Sequence, residues 1–271
     1  MSKFSPLNIY KLGCKSIVLA VLILLLGTQH SMANKEPHRI LFTGNSFSFY
    51  NNGIHNHLGG LVRSADQWEG GKNLFRLMTL SGGHIYEQLP LLEVMLSQQD
   101  ARWDAVVLQA HSNEPITSKK QEKFKQSLGN AINMLKQEKV LPILFMTWEY
   151  KGDSQMGEKL ALAYKNMAKK HQVPLIPVGL AFANAQQQHP DISLYVADVL
   201  GVKVAGNLTA LTYKKSIKHP SQAGTYLAAC VFYAALYNQS PEGLPFIADL
   251  PPEQAIKLQK LAWQTVKDFN K

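Results

Sequence analysis

The chain has 271 residues, 46% of them hydrophobic and 17% charged, with a formal net charge of +9. That is ample for one core, and at ~150 residues per domain it does not force two. The lysines are scattered, with no dense cluster and no aromatic interleaving, so the basic balance gives nucleic-acid binding no support. A mild attraction to anionic glycans or cell surfaces is compatible with the charge, and plain solubility accounts for it equally well.

The first 33 residues differ from the rest. Lys3, Lys11 and Lys15 precede the apolar run Ile17 to Leu26, and Ser31-Met32-Ala33 offers a small-x-small cleavage site. This is a secretory signal peptide pattern. The run falls short of the ~20 residues of a membrane span, although an uncleaved anchor is the alternative. Cys14 lacks the small-residue context of a lipid-attachment box. Cleavage after Ala33 removes three lysines and no acid, leaving +6 of the original +9. It also leaves Cys230 as the only cysteine, so no internal disulfide is expected, and the apolar "YLAACVFYAAL" around it marks a buried small hydrophobe. No stable membrane span is expected after cleavage, and the destination is periplasmic or secreted.

From residue 39 onward short apolar runs alternate with longer amphipathic stretches. "RILFT" (39–43), "LFRLMTL" (74–80), "DAVVLQ" (104–109), "LPILFMT" (141–147) and "VPLIPV" (173–178) read as strands. Helical segments lie between them at about 53–67, 84–99, 118–138 and 155–171, and two more close the chain near 221–237 and 252–268. Continuously apolar strands separated by helices predict a parallel sheet covered on both faces. The expected fold is α/β, a three-layer α/β/α sandwich with a five-stranded, flavodoxin-like parallel sheet. Residues 34–271 form one domain in this reading. One segment breaks the rhythm: "VKVAGNLTALTY" (202–213), with Gly206-Asn207 between β-prone flanks, reads as a hairpin.

Ligands of open α/β sheets bind beyond the carboxyl ends of the strands. Those ends carry Asn45, Ser46 and Phe47, then Ser81, Gly82, Gly83 and His84, then Gln109, His111, Ser112 and Asn113, and then Trp148, Glu149 and Tyr150. Ser46 stands where strand one meets a helix start, where unpaired N–H groups create a positive potential. Read alone it is a helix cap or a nucleophile. His219, in "KHPSQAGTYLAA", is held just outside a late apolar helix, and by itself it is structural or a general base.

Taken together, these blocks resemble the GDSL-like or SGNH hydrolases. "GNSFS" is similar to their first block, whose Ser is the nucleophile, and "HPS" to their last, whose His is the base. "LSGGHIYEQL" sits where the second block contributes a glycine N–H, and "VVLQAHSNEP" where the third contributes an asparagine. The latter also resembles the Gln-Gly-Glu-Ser-Asn signature of the sialate and carbohydrate acetylesterases. The closest resemblance is to a little-characterised bacterial branch with "VVLQ…S" and "HPS.AGTYLAA" signatures.

Two departures from that family stand out. Its aspartate lies three residues before the base, where this chain has Ser216. Asp198, in "ISLYVAD", is the proposed equivalent, with about 18 residues including the hairpin inserted between it and His219 (an insertion at about 199–218). A hairpin brings its ends together, so the two can still face each other; the alternative is a Ser-His dyad. The usual Gly-x-Asn-Asp is also absent from the third block.

The resemblance implies a serine esterase with Ser46, His219 and Asp198 as catalytic residues. Ser46, Gly82 or Gly83, and Gln109 and Asn113 would form the oxyanion hole. His84, His111, Trp148 and Glu149 are expected substrate contacts, with Trp148 and Glu149 equally readable as packed loop residues. Lys214, Lys215 and Lys218 suit acidic substrates or a solvated hairpin end. The implied substrate is a small-molecule or glycan ester carrying a small acyl group, with no cofactor, no metal and no nucleic-acid partner, and the oligomeric state open. Two other readings stand beside it. One is a glycan-binding protein of the same fold that has lost catalysis, using Trp148, Tyr150 and Tyr86 as stacking surfaces. The other is a metal site at His84, His111 and His219, whose spacing follows no metal motif.

Overall fold

A computed structural model describes residues 36–98, 102–206 and 208–271. The expected signal peptide with its cleavage site, and Asn207 of the hairpin, lie outside the described residues.

Five strands form one parallel sheet: β1 (Arg39–Gly44), β2 (Leu74–Thr79), β3 (Ala105–Leu108), β4 (Leu141–Phe145) and β5 (Leu175–Ile176). Their order is β2-β1-β3-β4-β5, and every pairing is parallel. This is the flavodoxin-like order expected from the alternating pattern. Successive residues of a strand face opposite sides, and here both sides are apolar. Ile40, Phe42, Val107 and Phe145 enter one core, while Leu41, Val106, Leu108 and Leu144 enter the other.

The helices divide accordingly. The first core is covered by α2 (Ile54–Ser64), α6 (Val178–Gln188), α7 (Gln222–Tyr237) and α8 (Pro252–Phe269). The second is covered by α3 (Ile85–Ser97), α4 (Ser118–Gln137) and α5 (Ser154–His171). A four-residue helix, α1 (Ser46–Phe49), follows β1 directly. Helix α7 is buried along nearly its whole surface, Cys230 included, which explains its apolar sequence on all sides. Residues 37–271 form one compact unit.

The fifth strand is shorter than expected. "VPLIPV" contributes only Leu175 and Ile176 to the ladder, because Pro174 and Pro177 on either side have no N–H to donate. Pro177 instead precedes α6, a helix of eleven residues that the strand pattern conceals.

The predicted hairpin exists and is longer than its sequence signal. Strands β7 (Val199–Ala205) and β8 (Leu208–Tyr213) pair antiparallel from Val199↔Tyr213 to Ala205↔Leu208, with an irregularity between Val199 and Gly201. At its root lies a second, very short ladder. In it β6 (Tyr195–Val196) pairs with β9 (His219–Pro220), with Val196 opposite His219.

Candidate active site

The carboxyl end of β1 sets the position of Ser46. Gly44 has φ +152°, and a Cβ there would stand 2.3 Å from Gln109 Oε1, so only glycine lets the third strand's amide press against this turn. Gln109 uses that closeness. Its Oε1 accepts from Asn45 N at 3.0 Å and Ser48 Oγ at 2.8 Å, while its Nε2 donates to Asn45 Oδ1 at 2.9 Å and Ala110 O at 2.7 Å. Asn45 completes the lattice by donating Nδ2 to Gly83 O at 3.0 Å and accepting from Phe47 N at 3.2 Å. Asn45 is therefore the cap of α1. Ser46 is the first residue inside the helix, and its hydroxyl is free for another partner.

That partner is His219. Ser46 Oγ lies 2.7 Å from His219 Nε2, and His219 Nδ1 lies 2.5 Å from Asp198 Oδ1. The β6–β9 ladder fixes the second distance, since it puts Val196, two residues before Asp198, directly opposite His219. Lys214 closes the root from the other strand, its N donating to Asp198 O at 2.9 Å and its ammonium 3.6 Å from Asp198 Oδ2. Burial pushes the Asp198 carboxyl up. The hydrogen bond from His219, with the charges of His219, Lys214 and Lys218, outweighs that and holds it below the usual carboxylate range. The proposed position of the displaced aspartate thus has a geometric counterpart.

Tyr50 is a member of the site that the sequence analysis missed. Its ring stacks on the imidazole of His219 with centroids 4.4 Å apart, and its hydroxyl donates to Asp198 Oδ1 at 3.5 Å. Only its place at the end of "GNSFSFY", one helical turn beyond Ser46, hinted at this.

Several expected roles need correction. Trp148 is fully buried, so it is not a substrate contact. It is sandwiched between Phe47, at 4.4 Å, and Phe182, at 4.1 Å, and its Nε1 donates to Lys218 O at 2.9 Å. Glu149 is also buried; Gln186 Nε2 donates to its Oε1, and it points away from the pocket into a site where desolvation raises its pKa. Gln109, 0% exposed, spends both amide hydrogens inside the turn and has none left for an oxyanion. Gly83 N–H is occupied by Leu80 O at 2.9 Å. Asn113 lies outside the pocket lining.

What remains around Ser46 is a pocket of about 620 Å³ lined by Tyr50, Ser81, Gly82, His111, Ser112, Val196, Asp198, Lys214 and Lys218 among others. Its size is ordinary for a small-molecule site. Among the described residues, neither Ser46 N–H nor Gly82 N–H has a hydrogen-bond partner. Tyr150 OH pairs with Ser112 Oγ at 2.9 Å.

His111 is held in a defined state. Asn113 Oδ1 accepts from Lys120 Nζ at 3.2 Å and meets His111 Nδ1 at 3.1 Å. An ammonium only donates, so the Asn113 atom is the acceptor and His111 Nδ1 carries the proton. Burial, with the charges of His84, Lys120 and Lys218, lowers the His111 pKa to about 4. At neutral pH its Nε2 therefore holds a lone pair. His84 stacks on His111 at 4.5 Å, with its Nδ1 3.3 Å from the buried carboxylate of Glu114, and does not itself line the pocket. Among the described residues no group of three His, Cys, Asp or Glu side chains is placed to hold a metal ion.

No protein-family model matches the sequence, and no curated protein matches it. Solved structures do match the fold. A DUF4886 family protein from Bacteroides uniformis superimposes with a TM-score of 0.59 at 15% identity, over 86% of this chain and 96% of that one. A putative SGNH hydrolase from Slackia heliotrinireducens gives 0.54 at 23% identity, over 73% and 98%. An acetyl xylan esterase gives 0.54 at 17% identity, again over 73% and 98%. The chain has the SGNH-hydrolase fold, as its motifs predict.

Proposed function

We propose that the protein is an exported serine esterase of the SGNH type that hydrolyses a small acyl ester, with acetyl on a carbohydrate as the substrate class. The observation that carries this reading is the continuous chain Asp198–His219–Ser46, with links of 2.5 and 2.7 Å. An acetyl xylan esterase of the same fold and the leader pattern of residues 1–33 support the substrate class and the export.

In the first half-reaction His219 Nε2 takes the Ser46 Oγ proton as Oγ attacks the ester carbonyl carbon. Asp198 holds the imidazole in the tautomer that leaves Nε2 free and stabilises the imidazolium that forms. The oxyanion accepts from the N–H groups of Ser46 and Gly82, donors worth roughly 3–4 kcal/mol each when fixed in place. Collapse of this intermediate expels the alcohol, which leaves with the proton from His219. Water, deprotonated by the same histidine, then attacks the acyl-enzyme and releases the acid. His111 Nε2, as a lone-pair acceptor in the pocket, takes a hydroxyl of the alcohol half. A binding-only role is less favoured, since Trp148, one of its three stacking surfaces, is buried and Ser46 Oγ lies within hydrogen-bond reach of His219 Nε2, at 2.7 Å.

The test is hydrolysis of p-nitrophenyl acetate by the purified protein and its Ser46→Ala variant. The wild type is expected to turn over, and the variant to lose about 10³-fold or more. Equal rates in the two overturn the proposal.

A further inference from the structure

Among the described residues the hairpin β7–β8 pairs only with itself, and it stands beside the pocket mouth. Side chains alternate across a strand. Val199 with Tyr213, Val202 with Leu211, and Val204 with Thr209 share one face, while Lys203 with Ala210, and Ala205 with Leu208 at the tip, share the other. The irregularity at Leu200 keeps Val199 and Val202 on the same side. Of the twelve large apolar side chains exposed among the described residues, seven lie in this hairpin, and Leu208 near its tip is 76% exposed. A lone two-stranded hairpin is marginal in water, and a contiguous exposed apolar face marks an interaction site.

The charges around it indicate what covers that face. Residues 196–218 hold four lysines, Lys203, Lys214, Lys215 and Lys218, and one acid, Asp198. Asp198 is already engaged by His219 and Lys214. An apolar tip and face, with lysines at the root and Lys203 on the opposite face, is the composition of an element that lies in a membrane interface. A second copy of the chain could cover the apolar face, but its own hairpin is equally basic and offers the lysines nothing. No helix among the described residues is long and apolar enough to cross a membrane.

We propose that this hairpin docks the protein onto a bilayer rich in anionic phospholipid. Leu208 and the Val202, Val204 and Leu211 face enter the headgroup and acyl boundary, and Tyr213 sits at headgroup level. Lys215, at the root, meets the phosphates, and Lys203, on the opposite face, adds long-range attraction to the anionic surface. Val196 and Val199 line the pocket as well as the hairpin root, so docking sets the Ser46 pocket at the lipid surface. The surface stands independently of the esterase reading.

The test is co-sedimentation of the full protein with vesicles of phosphatidylcholine alone or with about 30% phosphatidylglycerol. The wild type is expected to bind the anionic vesicles at least about tenfold more tightly and to be released by about 0.5 M salt. Val204→Asp/Leu208→Asp is expected to lose about tenfold or more in affinity, and Lys203→Glu/Lys215→Glu the preference for anionic vesicles. Folding of both variants is read from an unchanged thermal melt, and from unchanged p-nitrophenyl acetate hydrolysis where the wild type is active. Wild type that ignores anionic vesicles overturns the proposal, as does vesicle binding unaffected by Val204→Asp/Leu208→Asp. A dimer in solution that this variant converts to monomer, without vesicle binding by the wild type, overturns it in favour of a second copy.

Discussion

Val196 stands directly opposite His219 in a two-residue antiparallel ladder. This small pairing lets a twenty-residue excursion separate Asp198 from His219 without separating their side chains. Two expectations follow for activity. Asp198→Asn keeps the geometry but favours the wrong imidazole tautomer, and kcat for p-nitrophenyl acetate is expected to fall about 10³-fold or more. Replacing residues 200–212 with a two-residue turn keeps the ladder and Lys214. It is expected to change kcat/KM by no more than about threefold, the scale of the ~0.6 kcal/mol closure term for a halved loop. A loss as large as that of Asp198→Asn would mean that the hairpin itself, and not its root, aligns the carboxylate.

Trp148 joins the loop that bears Ser46 to the loop that bears His219, through the Phe47 stack and the Lys218 carbonyl. Trp148→Phe retains most of the stack and loses the indole N–H. Leaving the Lys218 carbonyl unpaired is expected to cost about 1–3 kcal/mol of stability. Chemical denaturation measures this, and stopped-flow hydrolysis is expected to show a lower kcat at little-changed KM.

Gln109→Leu separates two roles that the sequence alone cannot distinguish. As the brace of the Gly44–Asn45 turn, Gln109 satisfies Asn45 N, Asn45 Oδ1 and Ser48 Oγ in a fully buried place. Removing it is expected to destabilise the fold by about 3 kcal/mol or more, since each orphaned buried group costs ~1–3 kcal/mol. A variant with the wild-type melting temperature and a lowered kcat alone would instead mark Gln109 as an oxyanion donor.

His55 lies in α2, and burial, then the charges of Arg76 and His57, lower its pKa from 6.5 to about 4. Between those values the unfolded chain binds a proton that the folded one refuses. Stability is therefore expected to fall as pH drops from above 6.5 towards 4, because the unfolded state is the one that protonation favours. Melting temperatures across that range measure the slope, and His55→Gln is expected to remove the share of His55 while leaving that of His111, whose pKa is lowered to about 4 as well.

The sheet and most helices were legible because their signals are local. Buried parallel strands such as "RILFT" and "DAVVLQ" are continuously apolar, and the flanking helices keep their period. Helix α6 was missed because "VPLIPV" runs into it and looked like a full strand, whereas its two prolines leave a ladder of two residues. Ser46 and His219 were legible as motifs of the family resemblance, and Asp198 through "ISLYVAD" with the hairpin that follows it. The roles of Gln109, Trp148 and Glu149 were not. Each stands at a strand's carboxyl end, where a polar or aromatic side chain can face the pocket or the turn beneath it, and tertiary packing makes that choice. Gln109 turns towards Gly44 because a missing Cβ opens the space there. Tyr50 carried no signal of its own, since its use depends on His219 arriving 169 positions later.

Ser46 and His219 are 173 positions apart, yet their side chains touch. Ribosomes make the serine early and the histidine late, after all five strands of the sheet. A nascent chain that stops at Lys218 has the sequence of all five strands, and its Ser46 hydroxyl lacks the imidazole beside it. On the proposed reading, ester cleavage is withheld from the half-made protein, and the appearance of turnover would time the closing of the whole fold.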